Sequence, residues 1–143
     1  KTDANGIDRT RRARDDSAMN GTLLVGASGR DYFYTPYHWA TRWHADPANY
    51  AFGRYDAETD RWQISYIGET ANLFSRMRNH GQWAAAQKLG CTHVLVNLNP
   101  GGMIARRREE QDLIQHYQPK LNSQHLKATK PRPARNGYYP TGW

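Results

Sequence analysis

The sequence contains a single cysteine, Cys91, and this scarcity excludes two kinds of structure. One cysteine cannot form a disulfide within the chain, and it cannot supply the several thiolates of an ordinary structural zinc site. Long apolar runs are also missing, since none approaches the roughly 20 residues of a membrane-spanning helix. The segment 1–16 is polar and charged, without the apolar stretch of a secretory signal. We therefore expect a soluble cytoplasmic protein without a membrane partner.

The chain has the length and charge of a small domain that meets an acidic partner. Its 143 residues, 38% of them hydrophobic, suffice for one domain with one core. The formal net charge of +7 favours nucleic acid as that partner. Charge alone does not separate a nucleic-acid-binding protein from a basic protein that has no such partner.

The segment 61–80 joins a strand pattern to a helix pattern. Apolar and polar residues alternate from Arg61 to Ile67, which is typical of a half-buried strand. Gly68 is expected to end that strand. Arg76 and His80 are one helical repeat apart, so they are expected to share one face of the following helix. A strand that ends at Tyr66 would bring the three side chains together.

A second strand is predicted directly before this segment, and the two are expected to form a hairpin. The run 49–55 has strand character, and the polar residues 56–60 form the turn. If the turn is centred near Glu58, antiparallel pairing places Tyr50 opposite Tyr66. Tyr55 would then lie beside the turn, far from Gly68.

The second half of the chain predicts two more helices and one more strand. Residues 81–89 are strong helix formers, and Gly90 is expected to end them. Residues 92–98 alternate as a third strand. Residues 103–117 carry an apolar stripe, and Pro119 stops that last helix. The predicted fold class is therefore α+β, with a small central antiparallel sheet of three strands flanked by helices.

A spaced set of residues runs from the central strand into its helix: Tyr66, Ile67, Gly68, Thr70, Leu73, Arg76 and His80. This set is similar to the second half of the GIY-YIG nuclease signature. Independently of the family, Thr70 is expected to cap the following helix by accepting a hydrogen bond from one of its first amides. A later set is similar to the closing motif of the same family: Glu110, Gln111, Asp112, Leu113, Ile114, Pro119, Leu121 and Asn122. The resemblance covers residues 47–122, a little over half of the chain.

The first tyrosine motif of that family has two possible placements here. Gly53-Arg54-Tyr55 keeps the glycine and the short spacing to Tyr66, whereas Ala48-Asn49-Tyr50 lacks the glycine. The hairpin pairing favours Tyr50, and its alternation with Ala51 suits a half-buried strand.

The resemblance implies a divalent-metal-dependent endonuclease that hydrolyses phosphodiester bonds in DNA. It implies that the catalytic residues are Tyr50, Tyr66, Arg76, His80 and Glu110. Glu110 would hold one Mg²⁺ or Mn²⁺ ion per site, with the adjacent Glu109 as its rival, and Gly68 and Asn122 would support the site. The chemistry agrees, because the guanidinium of Arg76 matches phosphate and His80 titrates near neutral pH as a base or relay.

Three regions are predicted along the chain. Residues 1–46 form a basic arm with an aromatic extension, residues 47–122 the nuclease core, and residues 123–143 a basic, proline-rich tail. The aromatic residues of 32–44 either stack on bases or pack in the core. The expected DNA contacts are Arg78, Arg106, Arg107, Lys127, Lys130 and Arg132. The alternatives are a catalytically inactive nucleic-acid-binding module on the same fold, or the nuclease domain of a toxin or effector.

Overall fold

The computed structural model describes residues 20–122, which form a mixed α+β structure around one curled antiparallel sheet. The elements in chain order are β1 (Thr22–Val25), β2 (Asp31–His38), β3 (Ala48–Asp56), β4 (Arg61–Thr70), α1 (Leu73–Arg78), α2 (Trp83–Lys88), β5 (His93–Leu98) and α3 (Met103–Tyr117). None of the helices in this part of the chain is both long and apolar enough to cross a membrane.

The sheet has five strands in the order β1-β2-β5-β3-β4, and every neighbouring pair is antiparallel. The prediction of three strands was therefore too low. The missing strands, β1 and β2, lie in the segment taken as an extension, where β2 combines the aromatic run with Pro36. Tyr34 is buried, and the partly buried Tyr32, Tyr37, Trp39 and Trp43 pack against the two cores, whereas Phe33 is 58% exposed.

Helices cover the sheet on both faces. On one face, α1 and α2 pack on β3 and β5, with Tyr50, Phe52, Leu73, Met77, Trp83, Val94 and Val96 in the core. On the other face, α3 packs on β1, β3 and β4, with Leu24, Tyr34, Ala51, Ile67, Leu95 and Leu113 in the core. Because successive residues of a strand point to opposite faces, neighbours such as Tyr50 and Ala51 serve different cores.

A bulge in the β3–β4 hairpin changes the expected pairing. Tyr50 pairs with Gly68, and it is Phe52 that lies opposite Tyr66. The prediction that Tyr50 faces Tyr66 directly was thus two residues out of register. One residue of the shift comes from the turn, since Asp56 pairs with Arg61, and the other from the register break after Phe52.

The same bulge determines which face of the sheet Tyr66 occupies. Phe52 and Gly53 pair with Tyr66 and Ile64, so Ser65 is the extra residue on β4. Ile64 packs on the α3 face, whereas Tyr66 packs on the face of Tyr50 and Phe52. Without the extra residue, strict alternation would place Tyr66 beside Ile64 on the wrong face.

Strand β4 was predicted to end at Gly68, but it continues to Thr70. Gly68 is needed instead for a close approach, because a Cβ there would lie 2.5 Å from Tyr50 Oη. The cap of α1 also differs from the prediction. Asn72 Oδ1 accepts the amide hydrogen of Ser75 at 3.0 Å, while Thr70 binds the backbone of Asn72.

Gly68→Ala should destabilise the protein by about 1–3 kcal/mol, because the new methyl group overlaps the Tyr50 ring in the core. The matched control is Gly81→Ala, where a Cβ meets nothing within 4 Å and φ is not positive. The control should change stability by less than about 1 kcal/mol. Urea denaturation measures both free energies. Equal stability of the two variants would show that the ring does not rest on Gly68.

Candidate active site

Three of the residues singled out from the sequence meet at one hydroxyl group. Tyr50 is 1% exposed and projects from β3 over Gly68. Its Oη lies 2.8 Å from His80 Nε2 and accepts a hydrogen bond from Arg76 Nε at 3.3 Å. Arg76 is on α1, and His80 follows in the loop before α2. The tyrosine at the centre is Tyr50 and not the expected Tyr66, and His80 lies beyond the end of α1 instead of on the same helix as Arg76.

Backbone contacts determine the protonation of the His80 ring. The amide of Gln82 donates to His80 Nδ1 at 3.0 Å, so Nδ1 must be unprotonated. The neutral imidazole then carries its proton on Nε2 and donates it to Tyr50 Oη. Tyr50 Oη therefore accepts two hydrogen bonds, one from His80 and one from Arg76. His80 fits the role of a donor that positions Tyr50 better than the expected role of a base.

Burial and charge keep His80 neutral over the usual range of pH. Loss of solvent and the nearby Arg76 charge lower the pKa of His80 to about 3. Burial also raises the pKa of Tyr50 well above its ordinary value, and the negative charge of Tyr66 would raise it further, whereas Arg76 opposes the shift. Tyr50 therefore carries its proton at neutral pH.

Tyr66 lies beside this group and is less buried than Tyr50. Its ring centroid is 6.2 Å from that of Tyr50 and 5.1 Å from that of His80. Burial raises the pKa of Tyr66, and Arg76 lowers it in part. Arg76 thus places its positive charge next to both tyrosine hydroxyls.

Glu110 brings a carboxylate to the same site from α3. The residue is 7% exposed, and its Oε1 is buried without a hydrogen-bond partner among residues 20–122. Burial, with the charge of Glu69, raises the pKa of Glu110 to about 8, while Arg107 opposes this. The charge of Glu110 also raises the pKa of Tyr50 and of Tyr66, so its carboxylate lies within electrostatic range of both hydroxyls. A buried carboxylate oxygen without a partner is costly, and a bound cation would satisfy it.

Both carboxylate oxygens of the neighbouring Glu109 already accept hydrogen bonds. Tyr34 Oη and Asn97 Nδ2 donate to Glu109 Oε2 at 2.6 and 2.8 Å, and Asn99 Nδ2 donates to Oε1 at 3.3 Å. These bonds join α3 to β2, β5 and the loop after β5. Glu109 is therefore a structural carboxylate, and of the two adjacent acids only Glu110 fits a cation.

Glu69 belongs to the site but was not singled out from the sequence. Arg106 Nε donates to Glu69 Oε1 at 2.9 Å, and Arg107 Nε is 3.6 Å from Oε2. The only signal was its position between Gly68 and Thr70 in the motif, which does not reveal a partner on α3. Arg106 is 6% exposed and binds Glu69 and the carbonyl of Asn99, so it is no longer among the proposed DNA contacts.

Asn122 supports the site by closing part of the β4 edge. Its Oδ1 accepts from the amide of Ile67 at 2.8 Å, and its Nδ2 donates to the carbonyl of Ile67 at 3.0 Å. One side chain thus satisfies both backbone groups of the residue between Tyr66 and Gly68. This agrees with the supporting position expected for Asn122.

The remaining sequence candidates lie elsewhere. Tyr55 pairs with Trp62 beside the β3–β4 turn, on the α3 face, and donates to Asp60. Arg78 is exposed, with its guanidinium carbon 5.4 Å from the centre of the Phe74 ring. The expected DNA contacts Lys127, Lys130 and Arg132 fall outside the described residues.

No protein-family model matches this chain, and neither a curated protein nor a solved structure is significantly similar to it. The family resemblance therefore rests on the sequence motifs alone.

The raised pKa of Glu110 predicts a pH-dependent stability in the metal-free protein. Its unfolded pKa is near 4.5, so between pH 7 and 9 the unfolded carboxyl is ionised while the folded one loses its proton near pH 8. The folded state binds more protons, and stability should fall by about 1 kcal/mol over this interval.

Glu110→Gln should remove this fall, since the amide does not titrate. Denaturation in the presence of a chelator at pH 7, 8 and 9 measures both proteins. His80, whose pKa is lowered, contributes with the opposite sign but only below about pH 7. Parallel pH profiles of the two proteins would contradict the raised pKa.

Proposed function

We propose that this protein is an endonuclease of the GIY-YIG type, which hydrolyses phosphodiester bonds in DNA with the help of one divalent cation. The observation that carries the proposal is the buried Glu110 Oε1, which has no partner among residues 20–122 and lies within electrostatic range of the Tyr50 and Tyr66 hydroxyls. Buried polar atoms without a partner are few in folded proteins, and a bound cation would account for this one.

The donor set suits Mg²⁺ or Mn²⁺. These ions prefer oxygen ligands, keep several waters and often bind through one or two protein carboxylates together with substrate phosphates. Within residues 20–122 no group of three or more His, Cys, Asp or Glu side chains is arranged for a metal, and a site with a single carboxylate is not of that kind. When bound beside Glu110, the cation would neutralise charge on the scissile phosphate.

Arg76, beside the two tyrosines, also suits phosphate binding. Its guanidinium is permanently charged and planar, and only its Nε is used to hold Tyr50. The remaining fork of the guanidinium suits a phosphoryl oxygen and stabilises the charge that develops there.

The tyrosines suit the orientation of the attacking water. Tyr50 Oη already accepts from His80 and Arg76, so its own hydrogen is left to donate, and the Tyr66 hydroxyl is one neighbouring partner for it. The two donors favour the phenolate, so a Tyr50 that has first released its own proton to solvent would take one proton from the attacking water. His80 holds the Tyr50 ring in place and remains neutral.

The choice of DNA as substrate rests on the net charge of +7 and on the arginines around the site. A catalytically inactive nucleic-acid-binding module would need the basic surface but not the set of Tyr50, Arg76 and Glu110.

Glu110→Gln should reduce Mg²⁺-dependent nicking of a supercoiled plasmid by about 10²-fold or more, because it removes the charged ligand. Affinity for DNA in a chelator should stay near wild type. The matched control is Glu58→Gln, an exposed carboxylate on the β3–β4 turn, which should leave cleavage unchanged. Absence of metal-dependent cleavage by the wild type would sink the proposal in favour of a binding module.

Tyr50→Phe removes one hydroxyl and keeps the ring in its core. Cleavage should fall by about 10²-fold, as is usual when a group that handles a proton is lost. Stability should fall by about 1–3 kcal/mol, because the buried His80 Nε2 loses its acceptor, and the variant should still fold. Tyr55→Phe is the matched control and should be close to silent, because Tyr55 lies at the other end of the hairpin. Initial rates of plasmid nicking with saturating Mg²⁺ measure both, and the reverse order of effects would move the first motif to Tyr55.

A further inference from the structure

We propose that the groove between α3 and the β1–β2 turn holds the phosphate backbone of double-stranded DNA as it passes the site. The inference deepens the proposed function, on which its choice of DNA rests. It assigns DNA contacts to Arg30 and Arg108, which the family motifs do not include, together with Arg107.

The groove is open and positively charged. It has a volume of about 580 Å³ and is lined by Arg30, Arg107 and Arg108, with Gln111 between them and Ile104 at one side. Arg30 and Arg108 are exposed, and Ile104 is 68% exposed. Three guanidinium groups and the amides of Gln111 and Gln115 along a surface groove fit a chain of phosphates, and the exposed apolar side chain of Ile104 fits sugar.

Among residues 20–122, the acid that lines the groove is Asp112, and its carboxylate accepts hydrogen bonds that hold the two sides of the groove together. Asp112 accepts hydrogen bonds from the Ser28 amide at 2.9 Å, from Ser28 Oγ at 2.6 Å and from Tyr32 Oη at 2.8 Å. These bonds lower the pKa of Asp112. The amide of Arg30 in turn donates to Ser28 Oγ at 3.2 Å, so the turn that carries Arg30 is tied to α3. The backbone of the turn that carries Arg30 is thus fixed relative to α3 in the absence of DNA.

The groove lies on the α3 face near β1, and the Tyr50 and Tyr66 rings lie on the other face near the opposite edge, but both are at the same end of the sheet. The β1–β2 turn, the end of β4 after Gly68 and the first half of α3 share that end, because the strands are antiparallel. Arg107 links the two surfaces, since it lines the groove while its Nε faces Glu69 at 3.6 Å. A strand whose scissile phosphate lies at Arg76 and Glu110 would run past Arg107 towards Arg108 and Arg30.

The test compares two double variants by fluorescence anisotropy with a labelled 30-base-pair duplex in a chelator, so that cleavage plays no part. Arg30→Ala/Arg108→Ala should weaken binding by about 10-fold or more near 100 mM salt. The slope of log affinity against log salt should become shallower by about 2. The control, Arg61→Ala/Lys88→Ala, removes the same charge from exposed residues outside the groove and should leave the slope less changed.

Arg30→Lys/Arg108→Lys should keep most of the affinity, which separates lost charge from a damaged fold. If the alanine variant loses no more affinity and no more slope than its control, the groove does not hold DNA, whatever the wild type cleaves. If the wild type fails to cleave but the groove variant loses binding, the proposed activity is wrong while the groove inference stands. If Arg30→Ala/Arg108→Ala lost affinity for single-stranded DNA but not for the duplex, the assignment of duplex DNA to the groove would be wrong.

Discussion

The packing of the Tyr50 ring over the backbone of Gly68 is the contact on which the candidate site depends. A side chain at position 68 would displace the hydroxyl, and with it the hydrogen bonds from His80 and Arg76. The bulge at Ser65 has a matching role, because it moves Tyr66 to the same face. Gly68 and the extra residue Ser65 in β4 thus help to bring together Tyr50, Tyr66, Arg76 and His80. These four residues come from β3, β4, α1 and the loop before α2.

The buried Glu110 is the costly element of this arrangement. An ionised carboxylate with an unpartnered oxygen is unfavourable in the interior, and its raised pKa expresses that cost. Glu109, one position earlier on α3, shows the contrast, since three donors satisfy it and it serves the structure. We attribute the cost of burying Glu110 to metal binding. A bound cation would offset that cost and would assist the proposed phosphodiester hydrolysis.

Much of this architecture follows from local patterns, and the departures have physical causes. The helix 103–117 was predicted with its observed bounds, because its apolar stripe and Pro119 are local signals. The hairpin was predicted, but its register was not, since a bulge depends on which residues pack on each face. β2 was missed because Pro36 and mixed aromatic spacing hide its alternation.

For the site residues, too, local patterns predicted one part of the arrangement, and contacts between distant segments determine the rest. Tyr66, Arg76 and His80 were grouped from spacing, and Tyr50 was added from the hairpin and the family resemblance. In the structure His80 and Arg76 contact Tyr50, and Tyr66 lies beside them. The proton on His80 Nε2 depends on the Gln82 amide, and the satisfaction of Glu109 depends on Asn97 and Asn99 from another element. Such contacts between distant segments carry no local signal. The burial of Arg106 against Glu69 belongs to the same class.

A crystal structure of the protein with Mn²⁺ and an uncleaved DNA duplex tests the central claim most directly. The account predicts one anomalous scattering peak beside the Glu110 carboxylate, with a phosphate oxygen as a further ligand and Arg76 on the same phosphate. A peak at Glu109 or Asp112, or DNA bound at the site with saturating Mn²⁺ and no peak at Glu110, would contradict it.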